Sequence, residues 1–364
     1  MTKYLIFILY ILSFLVFLLF LIIIAYHQNQ TQKKKKLKEI KNKYLPVIDD
    51  YVNNRITIKN AEHKLKKDMN YEIIEEVLKS LLKKYSGSKF ESLKDLIKHL
   101  GINNHYLKNL NSNNKKKKLK AASFLGVLEE KKALDELYQM LNSQDRLVII
   151  TAAWAISEIG NMDNLDKIIK SLIKKTNMTY EATTELLVNF NGEICDKLIN
   201  HINRYLEDTT YFSIHFAVDD YKLLALFIDI FGYFRYKRSL SIIKRLLKRN
   251  PHQEVIIHIL KSLVKIGEPI NLDLKKFLLH ENWVIRSQTT KYISKIKNSN
   301  YINIIKNLLE DENWWVKYYA AKALWDLDKI DLMIDIILKD KTGANICDYI
   351  LAQNNYNYIL EERK

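Results

Sequence analysis

The chain opens on residues 4–26, YLIFILYILSFLVFLLFLIIIAY, an uncharged apolar run in which Ser13 is the only small polar side chain. Wound as a helix it is about 34 Å long, enough to cross a hydrocarbon core of about 30 Å. A lone segment in lipid must satisfy its own backbone hydrogen bonds, so a helix is its only workable form. Tyr4 and Tyr26 stand where amphipathic rings settle at the two interfaces. The run outlasts the apolar stretch of a cleaved leader and no A-x-A site follows it, so a retained anchor is expected.

After the anchor, apolar positions recur with helical spacing, and one signature returns in register. AASFL starts at Ala121, AAWAI at Ala152, TTELL at Thr183, FIDIF at Phe227, ILKSL at Ile259, TTKYI at Thr289 and AAKAL at Ala320. The intervals are 31, 31, 44, 32, 30 and 31 residues, and the long one contains an inserted stretch, DTTYFSIHFAVDDY, at residues 208–221. A fixed period of this size predicts stacked units, none able to bury its apolar face alone. Each unit reads as two helices: YINIIKNLLE is a first helix, DENW a turn and WVKYYAAKALWDL a second helix. Gly126, Gly160, Gly192, Gly232 and Gly267 fall at or just beyond second helices, where a left-handed residue ends a helix.

The expected fold class is therefore all-α, an α-solenoid of helix pairs behind one N-terminal transmembrane helix. Its parts are the anchor at 4–26, a basic juxtamembrane segment at 27–43, and a helical cap or divergent repeats at 44–111. The solenoid follows at 112–340, and a C-terminal cap or tail at 341–364. With only 8 Gly and 3 Pro in 364 residues, the chain lacks the turn residues of a many-stranded β fold.

The stretches VKYYAAKAL from Val316 and VIITAAWAI from Val148 resemble HEAT-like repeats, in particular the short bacterial type of the phycobilisome lyases. The motif of that family is an acidic turn followed by V-R-x-x-A-A-x-A-L, and the resemblance covers about residues 112–340. It implies a solenoid with a long concave binding surface. In the family the motif arginine pairs with the acid of a turn. Here the basic position is Arg286 and Lys317, but Ile149 and Ile256 elsewhere, so an incomplete ladder is expected. The turn around Trp314 and Trp315, of the form D-x-x-WW-V-[RK], resembles that of membrane-anchored HEAT-like proteins that accompany membrane glycosyltransferases of polysaccharide synthesis. A partner of that class is what the resemblance implies. HEAT-like solenoids also include basic DNA-binding alkylation-repair proteins and chromophore lyases, which supply two alternative readings.

Charge adds orientation. The net charge is +16, and residues 1–43 hold eight lysines against one glutamate. Lys3 alone precedes the anchor, whereas Lys33, Lys34, Lys35 and Lys36 open the basic run behind it. Basic flanks stay cytoplasmic, so the N-terminus is expected outside and residues 27–364 in the cytoplasm. The four lysines are expected against anionic headgroups.

Catalytic signatures are missing: there is no GxxxxGK[ST] and no HExxH, and the nine histidines show no metal-ligand spacing. Cys195 and Cys347 form no CxxC. No cofactor and no enzymatic activity are expected. Two candidate surfaces remain for a protein partner at or near the membrane. One is the basic helix at residues 235–249, with Arg235, Lys237, Arg238, Lys244, Arg245, Lys248 and Arg249. Leu240, Ile243 and Leu247 are expected to face the core. A solvated face is the plain reading of that helix, and a nucleic-acid site is disfavoured by the membrane tether. The other surface is Trp283, Trp314 and Trp315. Trp314, which matches Trp283, is expected to seal a repeat junction, leaving Trp315 as the exposed contact.

Overall fold

The computed structural model describes residues 2–66, 71–216, 219–339 and 341–356. The side chains of residues 2–10, 33, 34, 36, 37, 40, 41, 71–73, 75 and 76 fall outside that description. Every described element is a helix, and among the described residues there is no strand. The protein is all-α. Its chain forms two compact units, Met1–Met140 with Trp154–Ile159, and Leu141–Ala153 with Gly160–Lys364.

The first unit begins with one helix, Thr2–Val52, of 51 residues. It runs unbroken through the expected anchor, through the basic stretch and past Pro46. From Ile11 to Gln32 it is long and apolar enough to cross a membrane, and no part of that window is covered by protein. Its last turns behave differently. Tyr44, Ile48 and Val52, spaced four residues apart on one face, are buried against Ile58–Lys66, Tyr71–Lys84 and Ser88–His99. The unit is completed by Ile102–Leu110 packing on Lys115–Val127, where Tyr106 stacks on Phe124 at 4.4 Å. Gly101, with φ of 70°, makes the corner that precedes Ile102–Leu110.

In the second unit long helices pack in series. Asp220–Tyr233 packs on Gln253–Ile266, that helix on Trp283–Lys295, that on Trp314–Asp326, and that on Ala344–Gln353. Shorter helices alternate with them: Leu240–Lys248, Lys275–Leu278, Ile302–Asn307 and Ile330–Leu338. The inserted stretch folds as well. Its short helix Tyr211–His215 buries Phe212 and Phe216 against Phe227.

The signature register marks buried positions in both units. Ala121, Ala152, Thr183, Phe227, Ile259, Thr289 and Ala320 all lie inside helices and are fully buried. The same register places the ends of those helices. Seven residues before the signature, the side chains of Asn114, Asp145, His252, Asn282 and Asn313 accept backbone N–H groups of the first turn. Eight residues after it stand Glu129, Gly160, Asn191, Arg235, Gly267, Lys297 and Asp328, every one with positive φ. Most of these closures are Schellman motifs: Glu130 N donates to Leu125 O and Glu129 N to Gly126 O, with the same pair of bonds at Arg235, Lys297 and Asp328.

That pattern corrects the reading of the glycines. Gly160 and Gly267 do end helices with φ of 76° and 73°, but Gly126 and Gly232 lie inside helices, and Gly192 is not left-handed. Gly126 and Gly232 serve close approach instead. A Cβ on Gly126 would stand 2.7 Å from Ala155 Cα, and one on Gly232 2.9 Å from Ser262 Cα. The left-handed position three residues later goes to a polar residue, Glu129 or Arg235.

Candidate interaction surfaces

The ENW stretches are helix starts. Asn282 Oδ1 accepts from Val284 N at 2.9 Å, and Asn313 Oδ1 accepts from Trp315 N at 3.0 Å. Asparagine satisfies a first-turn donor, and the tryptophan after it is the first helical residue. Trp283, Trp314 and Trp315 are all exposed, at 40, 50 and 48 %. The assignment of Trp314 to a buried junction is therefore corrected. The first two positions of Trp314–Asp326 both point out of the bundle, and Val316 is the first of its side chains to enter the core.

The exposed rings gather. Trp314 meets Trp315 edge-on at 4.9 Å and stacks on Tyr318 at 5.3 Å, while Trp315 stacks on Tyr319 at 6.1 Å. Tyr349, half exposed on Ala344–Gln353, reaches Tyr318 at 6.4 Å. Tyr318, Tyr319 and Tyr349 were not singled out from the sequence. For Tyr318 and Tyr319 the i+3 and i+4 offsets from the tryptophans were the available signal, whereas Tyr349 comes from a separate helix.

Beneath this cluster lies a buried ion pair. Arg286 Nε donates to Asp311 Oδ2 at 2.7 Å and its Nη2 to Oδ1 at 2.8 Å, with side-chain exposures of 10 and 7 %. Its Nη1 donates to the carbonyls of His280 and Glu281 at 2.8 and 2.7 Å. Asp311 Oδ1 also accepts from Asn313 N at 2.9 Å, so the pair sits against the cap of the Trp314 helix. Arg286 lies on Trp283–Lys295 and Asp311 in the turn ahead of Trp314–Asp326, so the pair joins two successive long helices.

The basic helix is largely committed to its neighbours. Lys237 pairs with Glu268 at 2.5 Å, and Arg238 approaches Asp196 at 3.9 Å. Arg245 donates to Asn203 Oδ1 at 2.7 Å, and Arg249 to Leu206 O at 2.6 Å. Arg235 spends its backbone on a left-handed cap. Lys248 is exposed and Lys244 half-buried. Ile242, Ile243, Leu246 and Leu247 are buried, while Leu240 is only partly so. Of the expected headgroup lysines, Lys35 is exposed; the side chains of Lys33, Lys34 and Lys36 lie outside the described residues.

One polar cluster was not legible in the sequence. Asp166 takes His201 Nε2 at 2.8 Å and His215 Nε2 at 2.5 Å, and His201 Nδ1 meets Tyr211 Oη at 2.9 Å. The inserted helix supplies Tyr211 and His215. Burial raises the Asp166 carboxyl, but hydrogen bonds and positive charge from the two histidines outweigh it and hold the group at about 2. Both cysteines are buried, and burial pushes their thiols up to about 12, far from a reactive thiolate. Among the described residues no group of three or more His, Cys, Asp or Glu side chains is arranged to hold a metal.

No family model and no curated protein matches the chain. Among solved structures it is similar to an engineered protein, with 14 % identity over 74 % of this chain and 88 % of that one. The TM-score of that superposition is 0.31, too low to carry an inference about fold.

Proposed function

We propose that this chain is a single-pass membrane protein whose helix pairs form a HEAT-like α-solenoid, and that the solenoid is a non-catalytic scaffold docking a protein partner at the membrane. Exposed Trp314 and Trp315, clustered with Tyr318 and Tyr349, carry the reading. Tryptophan and tyrosine are enriched in binding hot spots, and a soluble surface gains nothing from holding four such rings together in water. The uncovered apolar window of the N-terminal helix supports the anchor, since water does not tolerate a bare apolar helix of that length. Lysine asymmetry around it supports an outside N-terminus and a cytoplasmic solenoid. The tether raises the concentration of the solenoid near membrane partners. The tryptophan-bearing turn favours a membrane glycosyltransferase system as that partner.

Truncating the exposed rings tests the reading. Trp314→Ala/Trp315→Ala should move the melting temperature little, because changes at exposed surface positions fall within about 0.5 kcal/mol. The same variant should lose the partner that co-purifies with the full-length protein from detergent-solubilised membranes. Undiminished co-purification would remove the aromatic cluster as the docking site.

A further inference from the structure

We infer that the second unit carries a docking site for an extended acidic peptide segment, built from lysines that the register assembles from three helices; this rests on the scaffold reading and specifies what the partner presents. Lys261, Lys291 and Lys322 each stand two residues beyond the signature starts Ile259, Thr289 and Ala320. They lie on Gln253–Ile266, Trp283–Lys295 and Trp314–Asp326, which pack in that order. Lys265 and Lys295 follow one turn later on the first two helices. Lys291 is half-buried and the other four are exposed. Among the described residues none of the five has a carboxylate within ion-pair distance, unlike Lys237 and Arg238 of the basic helix.

Three members of the row line a recess, and Lys261 and Lys265 stand outside it. A cavity of about 390 Å³ is walled by Lys291, Lys295, Lys322 and Tyr319, together with Ser294 and Asp326. Asp326 is already committed, its carboxylate accepting from Ser294 Oγ at 2.7 Å and its carbonyl from Lys297 Nζ. Lys291 Nζ stands 3.6 Å from the centre of the Tyr319 ring, a cation–π contact that fixes its charge in the cavity wall. Trp315 stacks on the same ring and joins the recess to the exposed aromatic cluster.

Spacing selects the occupant. Packed helices lie about 8–10 Å apart, so one lysine per helix makes a row of that pitch. A polyproline-type segment rises about 3.1 Å per residue with three residues per turn, so every third side chain recurs on one face at about 9 Å. Carboxylates at every third position therefore meet Lys261, Lys291 and Lys322 one to one. A recess admits a discrete chain and leaves a bilayer surface outside. Trp315, seven residues before Lys322 on the same helix, flanks the row and receives an apolar residue of the same segment, as aromatic-lined grooves do for extended peptides.

The test uses the full-length protein in neutral phosphatidylcholine nanodiscs. The probe is a fluorescein-labelled peptide of about 15 residues, roughly five polyproline turns, with glutamate at every third position among prolines and alanines. Anisotropy should show saturable binding, and the matched glutamine peptide should not bind. Lys261→Gln/Lys291→Gln/Lys322→Gln should weaken binding about tenfold or more, and the corresponding triple arginine variant should retain it. If the triple glutamine variant melts lower than the wild type, the exposed pair Lys261→Gln/Lys322→Gln gives the same comparison without touching Tyr319. Unchanged peptide affinity in these variants would overturn the inference. So would lysine-dependent binding that prefers a single-stranded oligonucleotide, or phosphatidylserine vesicles, to the acidic peptide. Crosslinking from position 315 in native membranes separates the two levels. A partner still captured by the triple glutamine variant would discard the acidic segment and leave the scaffold standing, whereas no captured protein in the wild type would remove both.

Discussion

Arg286 grips Asp311 with two parallel hydrogen bonds, 2.7 and 2.8 Å long, in a site where both side chains are almost fully buried. The third guanidinium nitrogen closes on the carbonyls of His280 and Glu281, ahead of the helix that carries Arg286 itself. Asp311 belongs to the turn ahead of the next long helix, so the pair ties two successive turns together. Such a pair is costly to break from one side, because the survivor is left charged and buried.

Arg286→Ala or Asp311→Ala should each lower stability by about 3–5 kcal/mol, read by urea unfolding. Arg286→Lys should not rescue, since an ammonium cannot reproduce the fork. A well-packed apolar pair, Arg286→Met/Asp311→Leu, should recover much of the loss. A single alanine variant with near-wild-type stability would mean that the pair is solvated.

Two backbone substitutions should act with opposite signs. Inside a helix, alanine ordinarily improves on glycine by about 0.5–1 kcal/mol. Gly232→Ala should instead destabilise by about 1–3 kcal/mol, because its Cβ meets Ser262 Cα at 2.9 Å and backbone must move. Asp328→Gly should stabilise by about 1 kcal/mol, because it relieves an aspartate held at φ of 57°. Thermal melts of the two variants check both signs. A stabilising Gly232→Ala would refute the close approach of the two helices.

The signature intervals were legible in the sequence, and all seven marked positions proved to be fully buried helix interior. Periodic small and apolar residues make that face readable, because burial depends on local spacing alone. Glycine function was less legible. Composition marks where glycine occurs, but whether it supplies a positive φ or a close approach depends on the neighbouring helix. The left-handed caps were missed for the same reason: Glu129, Arg235, Lys297 and Asp328 are not residue types that announce one. The basic helix at 235–249 drew attention through its density, yet its partners Asp196, Asn203, Leu206 and Glu268 come from elsewhere in the chain. The lysine row has the reverse character, since its members lie about 30 residues apart and meet only once the helices stack.

Acid should loosen the inserted helix. The Asp166 carboxyl sits at about 2, below its ordinary value of 3.8. A depressed carboxyl contributes stability that is complete above the unfolded value and is lost as pH falls toward the folded one. Wild-type stability should therefore drop between about pH 4 and pH 2 partly on this account. Asp166→Asn should flatten that limb, by an amount that solvent screening at a partly exposed carboxylate reduces. Melts from pH 2 to pH 7 give the comparison, and parallel curves for both proteins would show that the His201 and His215 contacts add nothing.

Topology follows from the lysines. A reporter fused after Lys364 should be active in the cytoplasm, and the chain should stay with membranes through carbonate washing. Reporter activity on the far side, or a mature N-terminus near Tyr26, would replace the anchor with a cleaved leader.

Docking of a membrane-located protein on the exposed aromatic cluster is tested most directly by site-specific photocrosslinking in intact cells. A photoreactive residue at Trp315 or Tyr349 should yield a discrete protein adduct in the membrane fraction. The same residue at Leu147, which is comparably exposed on a separate helix, Arg146–Ile159, should yield none. Identical adducts from all three positions, or no adduct from Trp315 and Tyr349, would contradict the account.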